Sequence, residues 1–298
     1  MEFQNIYFLG IGGIGMSALA RYFLHEGKRV AGYDRTPSHL TDELAAEGAA
    51  IHFEDDVRRI PAEFLDPAAT MVVYPPAVPQ EHGEYQYFVS HGFCVEKRSQ
   101  MLGHLAGGKY VMAVAGTHGK TTTSTITAEL LRAQGYTVHL GGNIGTPLFD
   151  RIPDIRPEDF AVLELSSFQL HSMHCAPDVA IITNISPNHL DVHPDFEDYV
   201  SAKCSIYRGQ RPDGCLVLNA KDAHTPRFAA EAPGHVRYFS SIGPVENGVY
   251  CADGVIYRAH DGAAEKILDA AEIRIPGAHN VENYMAAFAA TDGLVGNA

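Results

Sequence analysis

The residues most able to do chemistry stand together at 116–122, in the run Gly-Thr-His-Gly-Lys-Thr-Thr. The apolar stretch Val111–Ala115 precedes them, which predicts a buried strand, a tight glycine loop and then a helix. Backbone N–H groups of such a loop point at an anion, and the start of the helix adds partial positive charge. Lys120 is expected to reach the outer phosphates of a nucleotide, and the Thr121 hydroxyl to bind Mg²⁺. The loop therefore predicts chemistry on a nucleoside triphosphate.

The glycine spacing differs from that of the common phosphate loop. That pattern needs a glycine at position 114, where this chain has Val114, and the first glycine comes later, at Gly116. A glycine turn before an ordinary helix is the alternative interpretation, but it leaves Lys120 and the hydroxyl run unexplained.

A second glycine-rich turn lies near the N-terminus. The apolar run Ile6–Leu9 leads into Gly10-x-Gly12-x-x-Gly15, and Asp34 follows the next predicted strand. This pattern predicts a diphosphate at a helix N-terminus, with the acid on a ribose hydroxyl. It does not separate a nicotinamide dinucleotide from a UDP-sugar, because both present the same diphosphate. A tight turn that binds nothing is the alternative.

Further polar residues follow the strands predicted in the second half of the chain. Glu164 ends the apolar run 160–163 and is placed to bind Mg²⁺ beside the glycine loop. The polar segment 184–193 follows another strand and should face the same cleft. His189 and His193 have the spacing of one helical face, but no glutamate follows His189, so the zinc motif H-E-x-x-H is absent. A surface or capping role for His189 stays open.

Two later segments carry further candidate groups. Lys203 stands among apolar and small residues, where a helix lysine that reaches out to solvent is the alternative to a functional role. Asn280 and Asn283 lie on one face of a predicted helix and could bond the edge of a base. Helix capping is the competing interpretation for these two asparagines.

The composition restricts the class of protein. At 298 residues the chain exceeds the usual size of one hydrophobic core, which predicts two domains. The content of 46% hydrophobic and 19% charged residues is typical of a soluble protein, and the net charge of −14 argues against a nucleic-acid surface. The five cysteines form no C-x-x-C pair, so we expect reduced thiols. Without a signal peptide or a long apolar run, the sequence predicts a cytoplasmic protein with no membrane partner.

Strands and helices alternate in both halves of the chain, which predicts an α/β class with a doubly wound first domain. The expected strands lie at 6–9, 29–33, 51–53, 70–74, 111–115, 160–164, 179–184 and 215–219, with a βα unit at 85–100, a strand-rich region at 235–275 and a last helix at 279–291. Gly107-Gly108-Lys109 is the predicted linker, so the expected domains are 1–108 and 109–298.

Taken in order, these motifs resemble the Mur ligases, the ATP-dependent amino-acid-adding enzymes of bacterial cell-wall synthesis. The resemblance is carried by the Gly-Thr-His-Gly-Lys-Thr loop, Glu164, the segment Asn188–Asp191, Lys203 and the run His279–Asn283. It implies a Rossmann-like UDP-binding domain followed by a P-loop ATPase-type central domain. It also implies that the family's C-terminal Rossmann-like domain is absent from this chain, so that the chain alone is expected to be inactive.

The resemblance has two parts. Segments 10–36 and 113–120 are similar to the L-alanine-adding branch, whereas segments 142–147 and 164–170 and the Lys203 helix are similar to the D-glutamate-adding branch. L-Alanine-adding ligases usually carry an acidic run after the equivalent of Glu164, and this chain has Ser166-Ser167-Phe168 there. The second-domain segments therefore favour D-glutamate as the added amino acid, with L-alanine as the alternative.

The resemblance also implies the role of each site residue. ATP is expected on Gly116, Thr117, His118, Gly119, Lys120, Thr121, Thr122, Asn280 and Asn283. The UDP-substrate is expected on Gly12, Gly13, Ile14, Gly15, Asp34, Arg35, Asn143, Ser166 and His189. Mg²⁺ is expected on Thr121, Glu164 and His189, and on Lys203 if CO₂ carbamylates it. Lys120, His189 and Lys203 are then the catalytic residues.

The implied reaction joins a UDP-N-acetylmuramoyl carboxylate to an amino acid. The carboxylate attacks the γ-phosphate of ATP, and the amine displaces phosphate from the resulting acyl phosphate. Two more distant alternatives remain from the motifs alone. A nicotinamide-dependent oxidoreductase explains the first glycine turn but leaves the second loop without a role, and a non-catalytic UDP-sugar-binding module uses the first turn only.

Overall fold

The computed structural model describes residues 3–98, 100–101, 110–142, 156, 158–173, 175–187 and 193–296. The described residues fall into two compact units, one within residues 3–101 and the other within residues 110–296. The predicted linker, Gly107-Gly108-Lys109, lies outside the described residues, so the proposed boundary after residue 108 remains a prediction.

The first unit is built on a parallel sheet of five strands in the order β3-β2-β1-β4-β5. Its elements are β1 Asn5–Leu9, α1 Ile14–His25, β2 Arg29–Tyr33, α2 His39–Ala46, β3 Ala50–His52, β4 Thr70–Tyr74, α3 Gly83–Ser90 and β5 Cys94–Lys97. The strand order reverses between β1 and β4, so the loops after these two strands border a crevice at the carboxyl edge of the sheet.

The strands of this unit form because their apolar runs are buried on both faces of the sheet. All five residues of β1 are buried, and so are the first four residues of β4. The core of the unit packs Tyr7 and Leu9 of β1 against Val72 of β4 and Phe88 of α3. Continuous apolar strands of this kind are typical of parallel sheets, and the sequence predicts them for that reason.

The second unit contains a sheet of nine strands in the order β14-β13-β12-β11-β10-β9-β6-β8-β7. Its elements are β6 Tyr110–Ala115, α4 Lys120–Ala133, β7 Val138–Gly142, β8 Phe160–Glu164, α5 Ser167–Ser172, β9 Val179–Ile182, α6 Phe196–Arg208, β10 Cys215–Asn219, α7 Thr225–Glu231, β11 His235–Ser240, β12 Gly248–Ala252, β13 Val255–His260, β14 Ala263–Asp269 and α8 Ala278–Ala290. Strands β7 to β12 pair in parallel, whereas β13 and β14 are antiparallel. Helices α4 and α8 contribute Leu131 and Met285 to one core with Met112 and Val114 of β6.

The α/β class is confirmed, and the differences from the predicted elements are local. Strand β7 and helix α7 were not expected from the sequence. The expected βα unit at 85–100 is confirmed only in its second part, where helical residues 98 and 100–101 follow strand β5, because helix α3 occupies the first part of the range. Helix α3 begins early since the Asp55 carboxylate accepts the N–H groups of Gly83 and Glu84, a contact from a residue distant in sequence. Within the described part of the chain, each helix is too short or too polar to cross a membrane.

Candidate active site

The glycine loop of the second unit joins the end of β6 to the start of α4. Gly116 and Gly119 have φ angles of 140° and 81°, in the left-handed region that favours glycine. A Cβ on Gly116 would also collide with the Thr183 hydroxyl, and one on Gly119 would collide with the Asn283 side chain. Both glycines are therefore required by backbone conformation and by close packing, as expected for a loop built to hold an anion.

Two lysine side chains meet at one carbonyl of this loop. The Lys120 Nζ donates to the carbonyls of Gly116 at 3.1 Å and Thr117 at 3.0 Å. The Lys203 Nζ, from helix α6, donates to the same Gly116 carbonyl at 2.8 Å. Lys120 therefore lies against the loop, and its contact with a phosphate stays a prediction. Lys203 contacts the same Gly116 carbonyl. The spacing of residues along the sequence carries no signal for that contact.

Lys203 is buried and does not reach solvent, so the alternative of a solvent-reaching helix lysine is wrong. Only 2% of the residue is exposed, and its Nζ lies 4.7 Å from the centroid of the Tyr199 ring. Burial, together with the neighbouring Lys120 charge, lowers the pKa of Lys203 to about 7. Burial also lowers the pKa of Lys120, although the Glu164 carboxylate opposes that change. A substantial fraction of Lys203 is therefore an uncharged amine near neutral pH.

The two oxygen donors predicted for Mg²⁺ lie side by side. The Thr121 hydroxyl donates to Glu164 Oε2 at 2.7 Å, and Glu164 is only 2% exposed. The contact arises because Val114 of β6 pairs with Glu164 of β8, which brings the carboxyl ends of both strands to one edge. A hydroxyl and a carboxylate are hard oxygen ligands that fit Mg²⁺. Within the described residues, no cluster of three or more His, Cys, Asp or Glu side chains surrounds them.

The segment that follows β9 clamps the glycine loop. The backbone N–H of Thr117 donates to the Asn184 carbonyl at 2.8 Å. The Asn184 side chain accepts from the His118 N–H and donates to the His118 carbonyl, both at 3.0 Å. The predicted approach of this segment to the loop is thus observed for its described residues. Because these two loop N–H groups bind protein atoms, an anion would be bound by the free first N–H groups of α4.

A cavity of about 310 Å³ opens beside the loop. Its lining residues come from the loop, from the ends of β9 and β11 and from the start of α8: His118, Gly119, Thr183, Asn184, Phe239, His279, Glu282 and Asn283. Of these, only His118, Gly119 and Asn283 were predicted site residues, so the sequence analysis missed Thr183, Asn184, Phe239, His279 and Glu282. Phe239 could have been identified because it lies near the carboxyl end of β11, at the sheet edge where the other polar loops meet.

The paired asparagines of α8 have partners within the protein. Asn280 Nδ2 donates to the Pro276 carbonyl at 2.7 Å, and Asn283 Nδ2 donates to Asn280 Oδ1 at 3.1 Å. Asn283 Oδ1 also accepts from the Thr123 hydroxyl at 3.3 Å, which ties α8 to α4. These contacts favour an anchoring role for the helix start, and a contact to the base of a nucleotide stays a prediction.

Ser166 and His193 organise the helices beside Lys203. Ser166 is the N-cap of α5, where its Oγ accepts the Gln169 N–H at 3.3 Å. The buried His193 ring bonds Asp198 through Nδ1 at 2.7 Å and the Ser167 hydroxyl through Nε2 at 3.0 Å. Ser166 therefore has a structural role in addition to the predicted substrate contact, which remains a prediction.

Thr122 is half-buried in the first turn of α4. The predicted residues Asn143 and His189 lie outside the described residues.

A separate cleft of about 660 Å³ lies in the first unit, at the crevice between the β1 and β4 loops. Of the predicted residues, Gly12, Gly13, Asp34 and Arg35 line it. Asp34 holds the turn together, since its Oδ2 accepts the Gly12 N–H at 2.6 Å and its Oδ1 accepts the Thr36 N–H at 3.2 Å.

Two further residues of the predicted diphosphate site belong to the helix that follows the turn. Ile14 and Gly15 form the start of α1. A Cβ on Gly15 would collide with the Arg98 guanidinium. Gly15 therefore allows a close side-chain approach to the helix N-terminus, and its contact with a diphosphate stays a prediction.

Comparison with known proteins matches both units to one family. The Mur ligase middle domain matches residues 114–291, and the Mur ligase family catalytic domain matches residues 5–110. The chain is 41% identical over 293 residues to UDP-N-acetylmuramate–L-alanine ligase of Parabacteroides distasonis, covering 95% of this chain and 62% of that protein. It is also 41% identical over 286 residues to UDP-N-acetylmuramoylalanine–D-glutamate ligase of Symbiobacterium thermophilum, covering 93% of this chain and 62% of that protein. The chain thus spans about three-fifths of the length of these relatives.

Relatives named for L-alanine recur among the long matches, including two strains of Porphyromonas gingivalis and Flavobacterium johnsoniae. The fold is similar to that of UDP-N-acetylmuramate:L-alanyl-γ-D-glutamyl-meso-diaminopimelate ligase of Neisseria meningitides, with a TM-score of 0.66 and 22% identity, covering 99% of this chain and 95% of that chain. Both units are matched in the order expected from the glycine turn, the phosphate loop and the Lys203 helix. The chain therefore belongs to the Mur ligase family.

Proposed function

We propose that this chain provides the nucleotide-binding units of an ATP-dependent ligase that adds L-alanine to UDP-N-acetylmuramate. One observation carries the proposal: the side-chain nitrogens of Lys120 and Lys203 converge on the Gly116 carbonyl, beside the Thr121–Glu164 pair. Cations and oxygen ligands at the start of a helix are suited to a polyphosphate with its metal. Neither the oxidoreductase nor the UDP-binding module accounts for this second site.

The proposal gives each group around the loop a role. The first N–H groups of α4 and Lys120 hold phosphate oxygens, and Thr121 and Glu164 hold Mg²⁺. When bound, Mg²⁺ neutralises charge on the phosphates and lets two anions approach each other. The buried amine of Lys203 fits carbamylation, because a lysine whose pKa is lowered to about 7 offers the uncharged form that attacks CO₂. The carbamate would place an anion where an ammonium now meets the loop.

The first unit supplies the acid substrate in this proposal. The cleft bordered by Gly12, Gly13 and Arg35 holds the UDP part, with its diphosphate at the glycine turn. The carboxylate of the sugar then attacks the γ-phosphate of ATP, and the amine of the amino acid displaces phosphate. No side-chain nucleophile is required, since the two substrates are activated and positioned by charge.

The recurrence of L-alanine names among the long relatives favours L-alanine over the D-glutamate expected from the second-domain motifs. The similarity to D-glutamate ligases is substantial, with 51% identity to the enzyme of Acetivibrio thermocellus over 181 residues. The choice of amino acid depends on contacts with that amino acid, so activity with each substrate pair decides between the two specificities. The substrate pair must therefore be measured.

The test is ATP-dependent phosphate release, with each substrate pair, by the ligase that contains these nucleotide-binding units. We expect release from UDP-N-acetylmuramate with L-alanine, and little from UDP-N-acetylmuramoyl-L-alanine with D-glutamate. Lys120→Ala should lower the affinity for an ATP analogue by about tenfold or more, because a charged contact contributes about 1.5–3 kcal/mol. Lys266→Ala is the matched control, since Lys266 is an exposed lysine of β14 paired with Asp269.

Release only with the D-glutamate pair would reverse the choice of amino acid. Unchanged binding of the ATP analogue by Lys120→Ala would contradict the assignment of the phosphate site itself. Binding of UDP should be the same in wild type, Lys120→Ala and Lys266→Ala, because both lysines belong to the second unit.

A further inference from the structure

One tyrosine of helix α6 contacts both the phosphate loop and the buried lysine of the same helix. Tyr199 is only 1% exposed, and its hydroxyl lies 3.0 Å from Thr117 Oγ1 in the loop. The Lys203 Nζ lies over the face of its ring, 4.7 Å from the ring centroid. A single side chain therefore connects the loop with the lysine that converges on it.

The hydrogen bonds of Thr117 identify Tyr199 as the donor in the contact between their hydroxyls. Thr117 Oγ1 donates to the Ser186 carbonyl at 3.1 Å and accepts the Ser186 N–H at 3.0 Å. A hydroxyl has one hydrogen and two lone pairs, so the second lone pair is left for the Tyr199 O–H. Removal of the Tyr199 hydroxyl would leave that lone pair of a buried loop residue without a donor, which is unfavourable.

The Tyr199 ring is itself held by two aromatic neighbours. The His193 ring makes a T-shaped contact with it, at a centroid distance of 5.3 Å and an interplanar angle of 79°. The Phe196 ring stacks on it at 6.1 Å. His193 is fixed in turn, because it bonds the Asp198 carboxylate and the Ser167 hydroxyl. The Tyr199 ring is therefore a fixed platform for the lysine nitrogen above it.

We propose that Tyr199 is a positioning residue for the phosphate loop, acting through Thr117 with its hydroxyl and through Lys203 with its ring. The inference rests on the proposed function, in which this loop holds the phosphates of ATP. The Lys203 Nζ donates to the Gly116 carbonyl at 2.8 Å, so both contacts of Tyr199 lead to the first two residues of the loop. Tyr199 limits the conformations of the loop before a nucleotide binds, and less ordering is then needed on binding.

Two substitutions separate the hydroxyl from the ring. Tyr199→Phe removes the bond to Thr117 and keeps the ring face beside Lys203. Tyr199→Leu removes both the bond and the ring. Tyr207→Phe is the matched control, because Tyr207 is a buried tyrosine of the same helix whose hydroxyl donates to Glu231 of α7. Thermal unfolding shows which variants are folded, and if Tyr199→Leu is not, Tyr199→Phe decides the test.

The first measurement needs no nucleotide. The methylene group next to the Lys203 Nζ lies close to the face of an aromatic ring, and the ring current shields protons there. In NMR spectra of the chain with isotope-labelled lysine, this methylene should resonate upfield of the other lysines in wild type, Tyr199→Phe and Tyr207→Phe. Tyr199→Leu should lose the upfield shift, and Lys203→Met assigns the signal by removing it. An ordinary position of the signal in wild type would overturn the ring contact.

The second measurement is calorimetric titration of the 298-residue chain with a non-hydrolysable ATP analogue and Mg²⁺. Tyr199→Phe should bind about three- to tenfold more weakly than wild type, as expected for one lost hydrogen bond. Thr117→Val removes the same bond, so adding Tyr199→Phe to it should change the affinity by less than about twofold. Tyr199→Leu should bind more weakly than Tyr199→Phe, and this extra loss should be absent in a Lys203→Met background.

The outcomes distinguish the inference from the proposed function. If wild type does not bind the analogue, the proposed function fails, whatever the NMR signal shows about the ring. If wild type binds it and Tyr199→Phe binds equally well, the positioning role is overturned and the ATP site stands. Independent losses from Tyr199→Phe and Thr117→Val would overturn the route through Thr117. Weakening of the same size in Tyr207→Phe would show a general effect of buried hydroxyls on α6, which also overturns the role of Tyr199.

Discussion

The lysines of the second unit show how a single position acquires reactivity from its surroundings. Lys203 and Lys120 donate to one carbonyl, so two like charges share a partly desolvated site. Burial lowers the pKa values of both ammonium groups, and the Lys120 charge lowers that of Lys203 as well. The Tyr199 ring partly compensates, because the face of an aromatic ring attracts a cation. A bound polyphosphate would supply the missing negative charge.

The lowered pKa of Lys203 predicts a pH-dependent stability. Between pH 7 and the ordinary lysine value of 10.5, the unfolded chain holds a proton at Lys203 that the folded chain has largely lost. Stability attributable to this residue therefore rises with pH across that window, with a slope of at most about 1.4 kcal/mol per pH unit. Urea unfolding of wild type and Lys203→Met at pH 7 and pH 9, in CO₂-free buffer, measures the difference. Wild type should gain stability relative to Lys203→Met on going to pH 9.

Lys28→Met is a suitable control for this measurement. Lys28 lies outside the helices and strands, in the turn between α1 and β2, and belongs to the first unit, whereas Lys203 belongs to the second. Parallel stability profiles for wild type and Lys203→Met would show that Lys203 keeps its charge in the folded protein. Addition of bicarbonate should change the wild-type profile and leave that of Lys203→Met as it was.

At the scale of elements, the phosphate loop depends on the strand beside it. Strand β9 pairs with β6, and the residues that follow β9 therefore lie against the loop that follows β6. Thr183 donates to the His118 carbonyl at 2.6 Å, and Asn184 bonds both the N–H and the carbonyl of the same residue. The loop conformation is thus stabilised by hydrogen bonds from Thr183 and Asn184 as well as by its own glycines.

Asn184→Ala should weaken nucleotide binding without unfolding the sheet. The substitution removes both side-chain bonds to His118 but leaves the Asn184 carbonyl that accepts the Thr117 N–H. We expect about a tenfold loss of affinity for an ATP analogue, since the freed loop must be ordered again on binding. Asn247→Ala is the matched control, because its amide oxygen accepts only the Asp261 N–H in a distant turn. Equal affinities of the two variants for the ATP analogue would show that the Asn184 side chain does not support nucleotide binding.

The same elements show what could be predicted from the sequence. The buried strands β1, β4, β8 and β10 were identified because a continuous apolar run between turn residues has few other interpretations. Strand β7 was missed, since its run Val-His-Leu-Gly-Gly contains a histidine and two glycines. The histidine is tolerated there because His139 bonds the distant Asp159 carboxylate at 2.9 Å.

The site was predicted where its residues lie within one motif. Gly116, Lys120 and Thr121 form a local pattern whose chemistry can be read along the chain. The roles of Asn184 and Phe239, and the place of His82 in the lining of the first-unit cleft, depend on which strands lie next to each other and on which loops meet at a sheet edge. Such contacts join residues far apart in sequence, so spacing alone carries no signal for them. A correct strand order would have indicated Phe239 and the β4 loop that leads to His82.

At the scale of the whole molecule, each unit has its own sheet, its own core and its own cleft at the carboxyl edge of parallel strands. The core of the first unit is formed by residues 7–93, and that of the second by residues 112–295. The proposed UDP cleft and the proposed ATP cavity are lined by residues of different units. Ligand binding to one unit should therefore stabilise mainly that unit, because a ligand stabilises the structure that holds it.

Hydrogen exchange of the 298-residue chain measures this separation directly. UDP should slow exchange in segments 10–13, 33–36 and 77–85, which border the first cleft. A non-hydrolysable ATP analogue with Mg²⁺ should slow exchange in segments 116–123 and 279–284 instead. Each effect should grow with nucleotide concentration and remain when the other nucleotide is present. Protection of 10–13 by the ATP analogue would place ATP at the first glycine turn, and protection of both units by UDP alone would show that the two units are energetically coupled.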